Sequence, residues 1–189
     1  MKISAFSGTT TEGIDLIEDK LTLASVYGVL TSLYGEKGEY EKAILYFTKH
    51  IKLDHTVARG WQNIGPDFGR VAEDPEVLSI FEEQYEQDKK NAILVENLGV
   101  SYFHLNRFES AAKIYSDCIK RFDKDYYIVP VGGGKVLTLS SCYRKLAVAK
   151  YMAKDPVGAK SILNESIDKG IADETTVALF NELFPQEDN

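Results

Sequence analysis

A chain of 189 residues is long enough for one full domain, and 44% hydrophobic with 27% charged residues is the make-up of an ordinary folded protein, not of a disordered or membrane-embedded one. Twenty-two basic against 29 acidic side chains leave a net charge of −7, which repels phosphate backbones and anionic lipid and argues against nucleic-acid or membrane partners. Two cysteines and three histidines are too few for a disulfide framework or a conventional zinc site, so no metal or other cofactor and a reducing, cytoplasmic setting are expected.

In chain order, the N-terminus has no apolar run of signal-peptide length, and no stretch approaches the about 20 apolar residues of a membrane span. Gly13 to Ile17 has helical spacing. The first clear pattern is Tyr27, Leu30 and Tyr34, then Gly38-Glu39-Tyr40-Glu41-Lys42-Ala43 with Phe47 and Ile51. It returns as Val95, Leu98, Gly99 and Tyr102, then Asn106-Arg107-Phe108-Glu109-Ser110-Ala111 with Tyr115 and Ile119. Ala43 and Ala111 stand 68 residues apart, twice 34, which places a middle copy on Val77, with Trp61, Ile64, Gly65 and Phe68 before it and Phe81 after. A fourth copy has Tyr143, Leu146 and Ala147, then Asp155-Pro156-Val157-Gly158-Ala159 with Leu163 and Ile167, displaced by 14 extra residues. Asp173 to Thr176 can cap a last helix ending at Pro185. Copy two carries Gly60, Gly65, Pro66 and Gly69 in its first helix, where Pro66 removes a backbone donor, so a kink or break is expected there.

These blocks resemble the tetratricopeptide repeat, a 34-residue helix-turn-helix unit with a W-x-x-L-G-x-x-Y, A-x-x-x-F pattern, over about residues 22–169. The family's closing proline is absent. The resemblance implies an all-α, right-handed helical-repeat solenoid of about four helix pairs in a single domain spanning 1–189. Repeats are expected at about 22–55, 57–90, 91–123 and 140–169, an insert at about 123–139 and a capping helix at about 174–184. Physically, the aromatic and Leu positions form one face of each first helix, and the small residues Gly65, Gly99, Ala43 and Ala111 let the paired helices approach closely.

The chemistry of an enzyme is not written in the chain. Gly132-Gly133-Gly134-Lys135 is followed by Val136 where a phosphate loop needs Ser or Thr, so it reads as a turn, and neither a Gly-x-Ser-x-Gly elbow nor a His-Glu-x-x-His helix occurs. His50 reads as a partly buried structural side chain and Cys118 as an inert core residue, while Cys142 has no assigned place. Asn164-Glu165-Ser166 falls mid-helix and is discounted as a glycosylation site.

The resemblance also implies a concave face lined by the first helices, where a protein or peptide partner lies. By register its candidate contacts are Ser25, Gly28 and Ser32 from copy one and Arg59, Gln62, Asn63 and Pro66 from copy two. Glu96, Asn97 and Val100 follow from copy three, and Arg144, Lys145 and Val148 from copy four. Arg59, Gln62, Asn63, Glu96, Asn97, Arg144 and Lys145 are the expected peptide-binding set. Arginine forks suit acidic side chains and asparagine amides suit a ligand backbone, so an acidic or polar partner is favoured. The carboxylate clamp of chaperone-binding relatives is matched at too few positions to be expected. The expected function is a non-catalytic scaffold or adaptor; the alternative is an enzyme, or an enzyme's accessory subunit, with a small-molecule site at the Gly-rich insert. In that insert, Tyr126 to Val131 is expected to pack on the solenoid, with Gly132 to Gly134 as its tip.

Overall fold

The computed structural model describes residues 18–59, 64, 68–122 and 137–185. Eight α-helices account for most of them: α1 Lys20–Glu36, α2 Tyr40–Leu53, α3 Pro75–Gln87, α4 Ala92–His104, α5 Phe108–Arg121, α6 Leu139–Met152, α7 Pro156–Asp168 and α8 Glu174–Leu183. No strand occurs among the described residues, and successive helices pack on their neighbours as a helical-repeat solenoid.

Helix starts are fixed by side chains that satisfy orphan amides. Asp19, Asp74, Asn91, Asp155 and Asp173 each accept from an amide of the first turn, Thr138 and Ser141 form a reciprocal capping box, and Pro75 and Pro156 preset the first helical dihedral of α3 and α7. The turn between paired helices repeats as well. Gly38, Asn106 and Lys154 hold the left-handed conformation at φ 73°, 55° and 64°. Behind each, an amide closes back on the helix, from Glu39 to the Tyr34 carbonyl, Arg107 to Tyr102 and Asp155 to Lys150, at 2.8 to 2.9 Å.

Packing follows the repeat. Ala43, Val77, Ala111 and Ala159 are fully buried, as are Phe47, Phe81, Tyr115 and Leu163 four residues on. A Cβ on Gly99 would strike the Tyr115 ring, so glycine there sets how closely α4 meets α5. Phe47, Phe68 and Phe81 run as a ladder at 5.7 and 6.0 Å between centroids, joining copy one to copy two.

Two expectations are corrected. Where two α-helices are expected, copy two shows one among its described residues, α3, preceded by short 3-10 helices at His55–Arg59 and Phe68–Glu73, so the copies supply seven α-helices among the described residues. Its helix-breaking glycines and proline explain this, although Gly60, Trp61, Gln62, Asn63, Gly65 and Pro66 themselves lie outside the described residues. Ile64 and Phe68 are buried as the repeat register requires.

The second correction concerns the cysteines. Cys118 on α5 and Cys142 on α6 are joined in a disulfide, with Cα atoms 6.3 Å apart and both side chains buried. Cys118 is therefore not an inert free thiol. The bond brackets residues 123–136, so the expected placement of Tyr126 to Val131 and of the glycine tip lies outside the described residues. On either side of them Phe122 and Leu137 are buried in the core. Among the described residues no helix is long and apolar enough to cross a membrane.

Candidate functional site

The expected binding residues come from two kinds of place. Arg59 ends the first 3-10 helix, while Glu96 and Asn97 sit on α4, and Arg144 and Lys145 on α6. Gln62 and Asn63 lie outside the described residues.

Each of the five described side chains is engaged inside the molecule. Arg59 Nε donates to Gln84 Oε1 at 2.9 Å, and its Nη2 donates to Gln87 Oε1 at 3.3 Å. Asn97 is fully buried and its Nδ2 donates to the Ala58 carbonyl at 3.1 Å. Its amide grips a backbone, and in this structure that backbone is the chain's own. Together Arg59 and Asn97 pin the 3-10 segment 55–59 to α3 and α4.

Glu96 and Lys145 form an ion pair that ties α4 to α6, and neither side chain is more than about a quarter exposed. The Lys145 ammonium lies 5.7 Å from the Tyr115 ring centroid. Burial and the adjacent Glu96 carboxylate push the Tyr115 hydroxyl well above the ordinary phenol range, so it stays a neutral donor. A partner seeking either charge would have to break a partly desolvated pair, which is costlier than capturing a free surface charge.

Arg144 Nη1 donates to both Asp173 carboxylate oxygens, at 3.0 and 3.3 Å, and to Thr176 Oγ1 at 3.1 Å. The Asp173 amide donates to Ser140 Oγ at 3.0 Å. Burial raises the Asp173 carboxyl, but the Thr176 hydroxyl and amide together with Arg144 outweigh it and hold the group below the usual carboxylate range. These bonds fasten the N-terminus of α8 over α6, so Arg144 anchors the cap. The sequence held a signal for this in Asp173 and Thr176, which were read only as helix-capping residues.

Copy one is different. On α1, Ser25, Gly28, Val29 and Ser32 line one shallow depression with Leu33 and Glu36, and among the described residues no ion pair spans it. Beneath it, a Cβ on Gly28 would meet the His50 ring at 2.7 Å, so glycine here admits the imidazole between α1 and α2. Burial lowers the His50 pKa, against a weaker opposing pull from Asp54, and its Nδ1 is buried without a hydrogen-bond partner. The signal for this open face is the run of uncharged residues from Leu21 to Gly35, which repeat matching passes over.

Comparison with known proteins agrees with this architecture. Two tetratricopeptide-repeat family models match, one over residues 24–55 and the other over 97–125, which are the first and third copies. No curated protein matches the chain. The paired helices, the 34-residue spacing and the two family matches together show that the chain carries tetratricopeptide repeats.

Proposed function

We propose that the chain is a non-catalytic scaffold or adaptor that holds a protein or peptide partner on the concave face of its helical-repeat solenoid. Tetratricopeptide repeats generally mediate protein–protein interaction. The observation that carries the reading here is the open inner face of α1, which has no side chain of its own spanning it. An acidic or polar partner would engage Arg59, Glu96, Arg144 and Lys145 only by exchanging the bonds that these residues make within the chain. An apolar segment meets no such competitor on α1. The enzymatic alternative rests on residues 132–135, outside the described residues, and no described residue favours it. A compartment that sustains the Cys118–Cys142 bond suits this protein better than the cytoplasm.

The test is selection from a random-peptide display library, with the selected peptides titrated into labelled protein while backbone amide shifts are followed. Shifts concentrated on α1, α4 and α6 are the expected result. Shifts confined to α3, α5 and α7, or a selection that yields no binder, would overturn the reading.

A further inference from the structure

α3 and α5, the second helices of copies two and three, do not pack closely on each other, and a cleft of about 260 Å³ lies between them with α4 as its floor. Leu98 and Ile114 are buried and make its base apolar, and Tyr85 and Tyr102 line its sides. The corresponding step between α2 and α3 is bridged by Lys52, whose ammonium lies 2.5 Å from Asp74 and 3.0 Å from Glu76.

No such bridge crosses from α3 to α5, and the charges of the cleft are unevenly matched. Glu86 is paired with Lys89 at 2.7 Å, and Asp117 has Lys120 and Arg121 of its own helix at 4.0 and 3.9 Å. That leaves Glu82 on the α3 wall and Lys113 on the α5 wall. Glu82 is half-buried and accepts from the Tyr102 hydroxyl at 2.8 Å, with no cation beside it among the described residues. Lys113 forms no ion pair or hydrogen bond among the described residues, and the two do not pair with each other.

The phenols add to the acidic side. Tyr102 gives its proton to Glu82, and Tyr85 donates to Asp117 Oδ2 at 3.4 Å. Burial, reinforced by these carboxylates, raises both hydroxyls, Tyr85 to about 12, so they stay protonated and have only lone pairs left for an incoming group. The α3 wall therefore suits a cationic donor and the α5 wall an anion. A simple amine would leave Lys113 unmatched, and a simple carboxylate would leave Glu82 unmatched. The apolar base takes a hydrocarbon group.

We propose that this cleft binds a small zwitterion with an apolar side chain, a free α-amino acid or a dipeptide, its ammonium held by Glu82 and its carboxylate by Lys113. The site is separate from the first-helix face and does not depend on the scaffold reading.

The experiment titrates leucine into the full, isotope-labelled chain while backbone amide shifts are followed, with leucinamide, N-acetyl-leucine and the dipeptide alanyl-leucine in parallel. Shifts from leucine or the dipeptide are expected around residues 82, 98 and 113, and the tighter of the two names the source. Leucinamide, which lacks the carboxylate, and N-acetyl-leucine, which lacks the ammonium, should bind about tenfold more weakly than leucine. Lys113→Gln should weaken leucine about tenfold and leave leucinamide unaffected, while Glu82→Gln should weaken leucine and leave N-acetyl-leucine unaffected. Lys113 is exposed and bonded to no described residue, so its variant keeps the fold and the test stands even where Glu82→Gln loosens Tyr102. Leucinamide or N-acetyl-leucine binding as tightly as leucine, affinity indifferent to Lys113→Gln, or shifts that are absent or confined to other helices would overturn the proposal.

Discussion

Reducing the Cys118–Cys142 bond should loosen one end of the solenoid and leave the other intact. The bond closes a loop between residues 24 apart in sequence, for which the chain-entropy relation gives about 3.5 kcal/mol of stabilisation through the unfolded state. At about 2–4 °C per kcal/mol for a chain of this size, the melting temperature should fall by about 7–14 °C on reduction. The loss should be local. The bond joins α5 to α6 where 14 extra residues interrupt regular stacking, and in a repeat array stability is a sum of neighbour interfaces. Hydrogen exchange in α6, α7 and α8 should therefore accelerate, while α1 and α2 keep their protection. The assay is far-UV circular dichroism melting and exchange mass spectrometry with and without reductant, with Cys118→Ala/Cys142→Ala as the reagent-free control. Denatured, unreduced protein should show no free thiol. Two free thiols before reduction, or full reduction with an unchanged melting curve, would refute the reasoning.

Ala111→Leu should cost about 1–3 kcal/mol in chemical denaturation, since Ala111 is fully buried and the added carbons must displace neighbours. Lys154→Gly should stabilise by about 1 kcal/mol on the same assay, because Lys154 holds φ 64° at an exposed turn where copy one has glycine. Asn97→Ala should cost about 1–3 kcal/mol and speed exchange around residues 55–59, the buried Ala58 carbonyl having lost its donor. The lowered His50 pKa means that the unfolded chain binds the proton more readily. Stability should thus be full above pH 6.5 and decline as pH falls through 6.5 toward the folded value, and His50→Gln should flatten that decline in pH-dependent melting.

How much of this was legible in the sequence differs between core and surface. The repeat was readable because the same packing problem is solved at the same offsets. A small residue must stand at 43, 77, 111 and 159 whatever surrounds it, and an aromatic or large aliphatic residue four positions later fills the space it leaves. The turn positions 38, 106 and 154 were legible only as turns, since glycine, asparagine and lysine share a left-handed conformation that only the first two advertise. The disulfide was not legible at all. Its partners are brought together by the stacking of α6 on α5, and spacing along the chain across an insert gives no sign of that.

The expected binding residues are engaged within the chain for a more specific reason. Register identifies positions on the inner face, but it assumes that every copy has a first helix to leave that face empty. Among the described residues of copy two, α3 is preceded by 3-10 segments, and a buried carbonyl there, that of Ala58, takes its donor from another helix. Asn97 meets that need on the neighbouring helix, and Arg59 bonds the same segment to α3 through Gln84 and Gln87. The residue types suited to gripping a foreign peptide are also suited to gripping a short 3-10 segment of the same chain, because both offer backbone carbonyls that a long helix would have bonded internally. At the far end Arg144 does for the start of α8 what Arg59 does for residues 55–59. The part of the first-helix face that no described segment occupies is on α1, where no residue from 21 to 35 is charged, while α4 and α6 carry the paired charges of Glu96, Arg144 and Lys145.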